Sequence, residues 1–161
     1  VPDPAFPQLD LDAQLCFPLY AATRALTRRY GALLAEVGLT YPQYLCLLAL
    51  WEAGDDAEAL TVSGLGRRLH LDSGTLTPVL KRLEAAGHLT RRRDPADERR
   101  VLVEATEQGW ALRERLAEVP ARLVEGITFE PAEAEQLRDL LGRLLRDLDA
   151  APAPRAGTPQ V

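Results

Sequence analysis

Methionine is absent from this 161-residue chain, lysine occurs once, and cysteine and histidine occur twice each. Two cysteines, Cys16 and Cys46, do not make the disulfide framework of a secreted domain, so a reducing cytoplasm is the expected compartment. Cys16, Cys46, His70 and His88 lack any metal-ligand spacing, which argues against a zinc site; no metal or other cofactor is expected. No stretch approaches the ~18 uncharged apolar residues of a membrane span, so no membrane partner is expected. The acidic, proline-rich start Val1-Pro2-Asp3-Pro4 is not that of a signal peptide. No C-x-x-C pair is present to recycle an oxidised thiol, which argues against a thiol peroxidase; the chain is not expected to be an enzyme. The one lysine, Lys81, stands among 18 arginines; with abundant alanine, leucine, glycine and proline this reflects coding bias rather than function.

What is present is a soluble globular composition, 47% hydrophobic and 27% charged, long enough for one compact domain with a sizeable core. The net charge of −5 argues against a uniformly basic nucleic-acid binder, but charge is unevenly placed. Residues 67–100 hold nine basic against five acidic side chains, a local +4 that leaves −9 elsewhere. A basic middle in an acidic chain is the electrostatic footprint of a polyanion site; a merely solvated charged surface is the competing reading.

Helical periodicity dominates between two loose ends, a flexible N-terminus at 1–8 and a disordered tail at 150–161. Leu15, Leu19, Ala22, Leu26 and Leu33 predict a first helix over about residues 11–37, ended by Gly38. Thr40-Tyr41-Pro42-Gln43 reads as a capping box, followed by a buried second helix through Tyr44, Leu47, Leu48 and Trp51. A short extended piece at 60–62 and a third helix at 62–71 come next. Leu76, Val79, Leu80 and Leu83 mark a fourth helix closed by Gly87, and residues 89–103 read as a β-hairpin with a charged tip. Thr106 caps a fifth helix to about Ile127, and Pro131 opens a sixth with a leucine stripe from Leu137 to Leu148. The fold class is therefore mainly α with a small β-wing, a winged helix-turn-helix over residues 9–149. Its DNA-binding module spans 60–105, and dimerisation helices span 9–37 and 107–148. The long terminal helices carry more apolar surface than so small a module needs, which points to a two-fold homodimer; an intramolecular bundle is the alternative.

The outer face of the fourth helix carries Ser73, Thr75, Thr77, Pro78, Lys81 and Arg82. Hydroxyls bond phosphates or base edges, and Lys and Arg favour phosphates and guanine. Arg91, Arg92, Arg93, Arg99 and Arg100 flank the hairpin loop, where an arginine can enter a narrow minor groove while others form ion pairs. Asp97 is placed to orient the Arg99 guanidinium through a bidentate pair. On sequence rules alone Thr77-Pro78 starts the fourth helix.

These residues carry a resemblance. Leu71-Asp72-Ser73-Gly74-Thr75-Leu76-Thr77-Pro78, Lys81-Arg82-Leu83-Glu84 and Arg93-Asp94-Pro95-Ala96-Asp97-Glu98-Arg99 resemble the MarR family of winged-helix repressors. Gln14-Leu15-Cys16-Phe17, Leu39-Thr40-Tyr41-Pro42-Gln43-Tyr44 and Leu50-Trp51-Glu52 narrow this to the organic hydroperoxide resistance regulators, one-cysteine type. The resemblance covers about residues 9–148. It implies a homodimer on a pseudo-palindromic double-stranded operator, with half-sites about one helical turn (~10 base pairs) apart. It also implies a repressor that senses organic hydroperoxides through oxidation of Cys16 and then releases DNA. It places the fourth-helix start near Asp72 or Ser73, with Pro78 inside. A MarR-type repressor answering a small aromatic ligand is the alternative.

A thiolate, not a thiol, attacks a peroxide, and a helix N-terminus and hydrogen-bond donors stabilise it. By resemblance, Tyr30 and Tyr41 donate hydroxyls to Cys16 from the partner subunit, and Tyr20, one turn on, lines the pocket; ordinary packing is the competing role for each. Leu15, Phe17 and Leu19 offer an apolar setting for a peroxide tail. Cys46, among leucines, reads as inert packing. The two-cysteine branch of the group that this chain resembles has a resolving cysteine in the C-terminal helices, and none follows Cys46 here; the resemblance to the one-cysteine type implies that oxidised Cys16 pairs with a low-molecular-weight thiol, with a Cys16–Cys46 disulfide as the rival. Pro18 either kinks the first helix or falls in its first turn; the second case brings Cys16 to a capping position.

Overall fold

The computed structural model describes residues 6–53 and 60–152. Of the expected flexible start and disordered tail, residues 1–5 and 153–161 lie outside the described residues. Two short 3-10 turns, Pro7–Leu9 and Leu11–Ala13, lead into α1 (Cys16–Leu34), and a third, Ala35–Val37, follows it. Then come α2 (Tyr41–Ala53), β1 (Leu60–Thr61), α3 (Val62–Leu69), α4 (Ser73–Ala85), β2 (Leu89–Arg93), β3 (Val101–Ala105), α5 (Glu107–Arg115), α6 (Val119–Val124) and α7 (Pro131–Ala150). The strands form an antiparallel sheet in the order β1-β3-β2, with Leu89 opposite Ala105 and Arg93 opposite Val101. Among the described residues, no single helix is long and apolar enough to cross a membrane.

The chain divides into two compact units, residues 1–124 and 125–161. The first holds the core, built on α2, which buries Gln43, Tyr44, Cys46, Leu47, Ala49, Leu50 and Trp51. A helix apolar on nearly every face is stable only when enclosed, and α2 is packed against Leu34, Leu65, Leu76, Leu80, Leu83, Leu89 and Val103. Where the sequence reads a capping box, half of one forms. The Gln43 side chain accepts from the Thr40 backbone N–H at 2.8 Å and from the Thr40 hydroxyl at 3.0 Å.

Helix α1 behaves differently: Leu34 is the one buried residue among its 19. Its start resolves the question that Pro18 raises. The chain is extended at Gln14 (φ −83°, ψ 124°) and helical from Leu15, so Cys16 is the first helical residue and Pro18 the third. A proline there gives up an N–H that has no helical acceptor in any case, and the helix needs no kink. The longer first helix expected from residue 11 is corrected by the same fact, since Leu11–Ala13 is a separate turn.

Helix α4 starts at Ser73, not at Thr77. The Asp72 carboxylate accepts from the Thr75 backbone N–H and the Thr75 hydroxyl, each at 2.9 Å. This cap overrides the Thr77-Pro78 signal, and Pro78 sits inside the helix. At its end Gly87 (φ 77°) donates to the Glu84 carbonyl and His88 to the Leu83 carbonyl, both at 2.9 Å. That closure needs a left-handed residue, which glycine supplies without strain.

The fifth helix expected to run from Thr106 to Ile127 is two helices. Pro120 cannot donate back to Leu116, so the chain breaks at 116–118 and restarts as α6. In the second unit, Glu130 and Glu133 form a reciprocal capping box at the head of α7, and none of the residues of α7 is buried.

Candidate functional site

Cys16 is exposed, at the positive end of α1. Tyr20, one turn on, is 60% exposed, with the Arg24 guanidinium 5.7 Å from its ring centroid. Phe17 and Leu19 are half-buried and Leu15 is exposed. Tyr30 and Tyr41 lie elsewhere. Their rings are stacked, 4.1 Å between centroids and 11° between planes, and they pack on the core. Burial, then the neighbouring Tyr41 and Tyr44, push Tyr30 up to about 12, and burial raises Tyr41 too. Both hydroxyls therefore stay protonated, as donors must. Tyr30 stands 14 residues after Cys16 on one α-helix, a separation of about 21 Å at ~1.5 Å per residue. The structure thus brings the two tyrosines together but keeps Cys16 of the same chain far from Tyr30. Cys46 is fully buried, and burial pushes its thiol up to about 12, which leaves it protonated and unreactive.

On α4, Ser73, Thr75, Pro78, Lys81 and Arg82 are exposed and Thr77 is half-buried. The Thr75 hydroxyl donates to Asp72, so it is an acceptor toward any second partner and not a phosphate donor. The Thr75 backbone N–H, then its hydroxyl, hold Asp72 below the usual carboxylate range.

The arginines of the wing are held by three carboxylates to which sequence reasoning gave no role, Asp94, Glu84 and Glu104. Asp94 is buried; it accepts from the Ala96 N–H at 2.9 Å and pairs with Arg100 at 3.3 Å. Asp97 accepts from the Arg99 backbone N–H at 3.1 Å, which corrects the expected pairing with the Arg99 guanidinium. Arg91 clamps the Glu84 carboxylate through its backbone N–H at 3.1 Å and Nε at 3.0 Å, joining the wing to α4 and holding Glu84 below its ordinary range. Arg92 pairs with Glu104 at 2.7 Å, and Arg93 donates to the Glu98 carbonyl at 3.0 Å. Four of the five arginines around the loop thus bond within the chain; the Arg99 side chain, at the exposed tip, has no partner among the described residues.

His88 joins α4 to β2. It is buried, its Nδ1 has no hydrogen-bond partner, and burial lowers its pKa from 6.5. A histidine kept neutral by burial binds fewer protons folded than unfolded. Its contribution to stability is complete above pH 6.5 and is lost as pH falls below that value. The carboxylates Asp72 and Glu84, both lowered, add their loss only in more acidic solution. The melting temperature is expected to decline as pH drops below 6.5, and calorimetry of a His88→Gln variant to show no slope in that first window.

A family model described as transcriptional regulator SarA/Rot matches residues 28–116. The chain is 46% identical to the organic hydroperoxide resistance transcriptional regulator of Bacillus subtilis (strain 168), over 89% of its own length and 95% of the relative's. Among solved structures it is similar to reduced AbfR bound to DNA, with a TM-score of 0.71 and 34% identity over 88% of this chain and 96% of that one. AbfR is from Staphylococcus epidermidis. The disulfide-formed state of AbfR overlays less closely, with a TM-score of 0.57 and 37% identity over 86% of this chain and 94% of that one.

Proposed function

Because the chain belongs to the MarR-type winged-helix transcriptional regulators, in the group of the organic hydroperoxide resistance regulators, we propose that it is a homodimeric repressor that leaves its operator when an organic hydroperoxide oxidises Cys16. It is a regulator and not an enzyme, as its relatives are. One observation carries the proposal. Cys16 is exposed at the head of a helix that buries one residue in 19, about 21 Å from its own Tyr30. A second copy packed on α1 covers that apolar face and brings its Tyr30 and Tyr41 hydroxyls to the thiolate. α7, whose Leu137, Leu140, Leu145 and Leu148 are exposed, is proposed as the other dimerisation helix.

The chemistry follows. The Cys16 thiolate attacks one oxygen of the hydroperoxide, the O–O bond breaks, and the departing alkoxide takes a proton to leave as an alcohol. Cys16 becomes a sulfenic acid. A low-molecular-weight thiol then condenses with it, releasing water and leaving a mixed disulfide; buried, protonated Cys46 is a poor competitor. Tyr20 flanks the site and Leu15, Phe17 and Leu19 meet the peroxide's organic part. DNA is held by residues 60–105: Ser73, Thr75, Thr77, Pro78, Lys81 and Arg82 in the major groove, and Arg99, on the turn shaped by Asp97, in the minor groove. The lower overlay with the disulfide-formed neighbour than with the reduced or the overoxidised one on DNA, both at a TM-score of 0.71, supports disulfide formation at the oxidised cysteine as the event that changes shape.

Mixed dimers test the shared site. A Tyr30→Phe/Tyr41→Phe homodimer is expected to oxidise at least about tenfold more slowly, the worth of hydrogen bonds to a charged group. A Cys16→Ser homodimer does not oxidise at that position. Joined, the two chains form one complete site, because the cysteine of the first faces the tyrosines of the second. Stopped-flow oxidation with cumene hydroperoxide should then recover the wild-type rate at that cysteine. A rate that stays slow refutes the shared site.

A further inference from the structure

The tyrosine pair is one end of a longer run of contacts. Tyr30 also meets Tyr44 at 5.8 Å between centroids, and Tyr44 meets Trp51 edge-on at 6.4 Å. Trp51, 7% exposed, donates its indole N–H to the Gly109 carbonyl oxygen at 3.1 Å. Gly109 lies in the first turn of α5, so close to the link between α4 and β2 that a methyl group there would overlap the His88 carbonyl. Thr106, which caps α5, donates its hydroxyl to the Gly87 carbonyl at 2.6 Å and its backbone N–H to the His88 carbonyl at 3.1 Å. Gly87 and His88 are the residues that close α4. Packed rings and hydrogen bonds therefore link Tyr41 to the C-terminal end of α4 without a gap. A groove of about 350 Å³ borders Tyr44, Trp51, Arg113 and Leu116, which gives the indole space to shift.

We propose that Trp51 is the positioning residue that passes the state of the tyrosine pair to the DNA-reading helix, by its ring on Tyr44 and its N–H on Gly109. This rests on Cys16 oxidation being the releasing event. Once the thiolate is consumed, the tyrosine hydroxyls lose the charge they faced and the adduct displaces their rings. Tyr30 packs on both Tyr41 and Tyr44, so a displaced Tyr30 ring presses on Tyr44 and, through its edge contact, on Trp51. The shift changes the pull on Gly109 and so the seat of α4 on α5.

The test is Trp51→Phe, which keeps an aromatic ring against Tyr44 and removes the donor. DNA affinity is measured for reduced and oxidised protein on a duplex selected by the reduced protein from a random pool. In the wild type the ratio of the two affinities is expected to fall within roughly 5- to 150-fold, the usual span of coupling between sites. A wild-type ratio near one defeats the redox reading itself, whatever the variant does. In Trp51→Phe, Cys16 is expected to oxidise at the wild-type rate and reduced affinity to hold, while the ratio shrinks by about fivefold, the net worth of one hydrogen bond. A variant that melts earlier but keeps the wild-type ratio assigns Trp51 to packing and overturns the proposal. Should the variant fold poorly, Trp110→Phe leaves Trp51 as the sole tryptophan in an otherwise intact chain. Its emission is expected to shift on oxidation; unmoved emission alongside DNA release overturns the proposal too.

Discussion

Cys16→Ser protein is expected to remain on DNA at hydroperoxide concentrations that strip the wild type from it. Cys16 is exposed and lies in the first turn of α1, so exchanging sulfur for oxygen disturbs neither core nor helix. A serine hydroxyl is not oxidised by peroxide, so the variant stays in its reduced-like state. Without peroxide the two proteins should bind the same duplex equally, because the residues proposed to touch DNA lie at 73–82 and 99. With peroxide, wild-type affinity is expected to drop by roughly 5- to 150-fold and the variant's to hold. Fluorescence anisotropy at one stated salt concentration measures both, since salt alone moves protein–DNA affinity by orders of magnitude. The same comparison separates redox sensing from a response to a small aromatic ligand, which would release both proteins alike.

Gly109→Ala is expected to cost about 3 kcal/mol or more in stability, at or beyond the upper end of ordinary overpacking. The added methyl meets the carbonyl of His88, which is backbone and cannot rotate away. Relief requires moving the first turn of α5 off β2, and that motion pulls on the Thr106 bond to Gly87 and the Trp51 bond to Gly109. At about 2–4 °C per kcal/mol for a chain of this size, the melting temperature should fall by roughly 10 °C. Gly31→Ala is the control. Gly31 is also helical, but a methyl there meets nothing within 4 Å, so calorimetry should find it no less stable than the wild type.

The order of elements was legible because each helix carries its own period and its own cap. Gly38, Gly87, Thr106 and Pro131 all stand at element boundaries where local chemistry puts them. Misreadings arose where two local signals compete. Thr77-Pro78 is a good helix start, yet Asp72 offers the backbone an earlier and better-satisfied one. Pro120 marked the break between α5 and α6, but the apolar period on both sides masked it. The wing misled for another reason. Asp97 sits two residues from Arg99, and spacing cannot tell whether a carboxylate bonds a neighbour's side chain or its backbone N–H. Asp94 was overlooked because its burial depends on the loop folding back.

The candidate site was legible as residue types and not as geometry. Cys16 and Tyr41 were singled out with the motifs around them and Tyr30 by resemblance alone, and the observed length of α1 sets Cys16 and Tyr30 of one chain apart. Tyr44, Trp51 and Gly109 gave no local sign of a role. An indole donating across 58 residues of sequence exists only once the chain has folded.

The most direct test follows oxidation and DNA release in one sample. Cumene hydroperoxide is titrated into the reduced protein on its selected duplex, with a low-molecular-weight thiol present. Bound DNA is read by anisotropy, and Cys16 by intact and peptide mass spectrometry. DNA is expected to leave in step with an added oxygen or a thiol adduct on Cys16, with Cys46 unmodified throughout. DNA released while Cys16 is intact, or Cys16 fully modified on protein still bound, would contradict it.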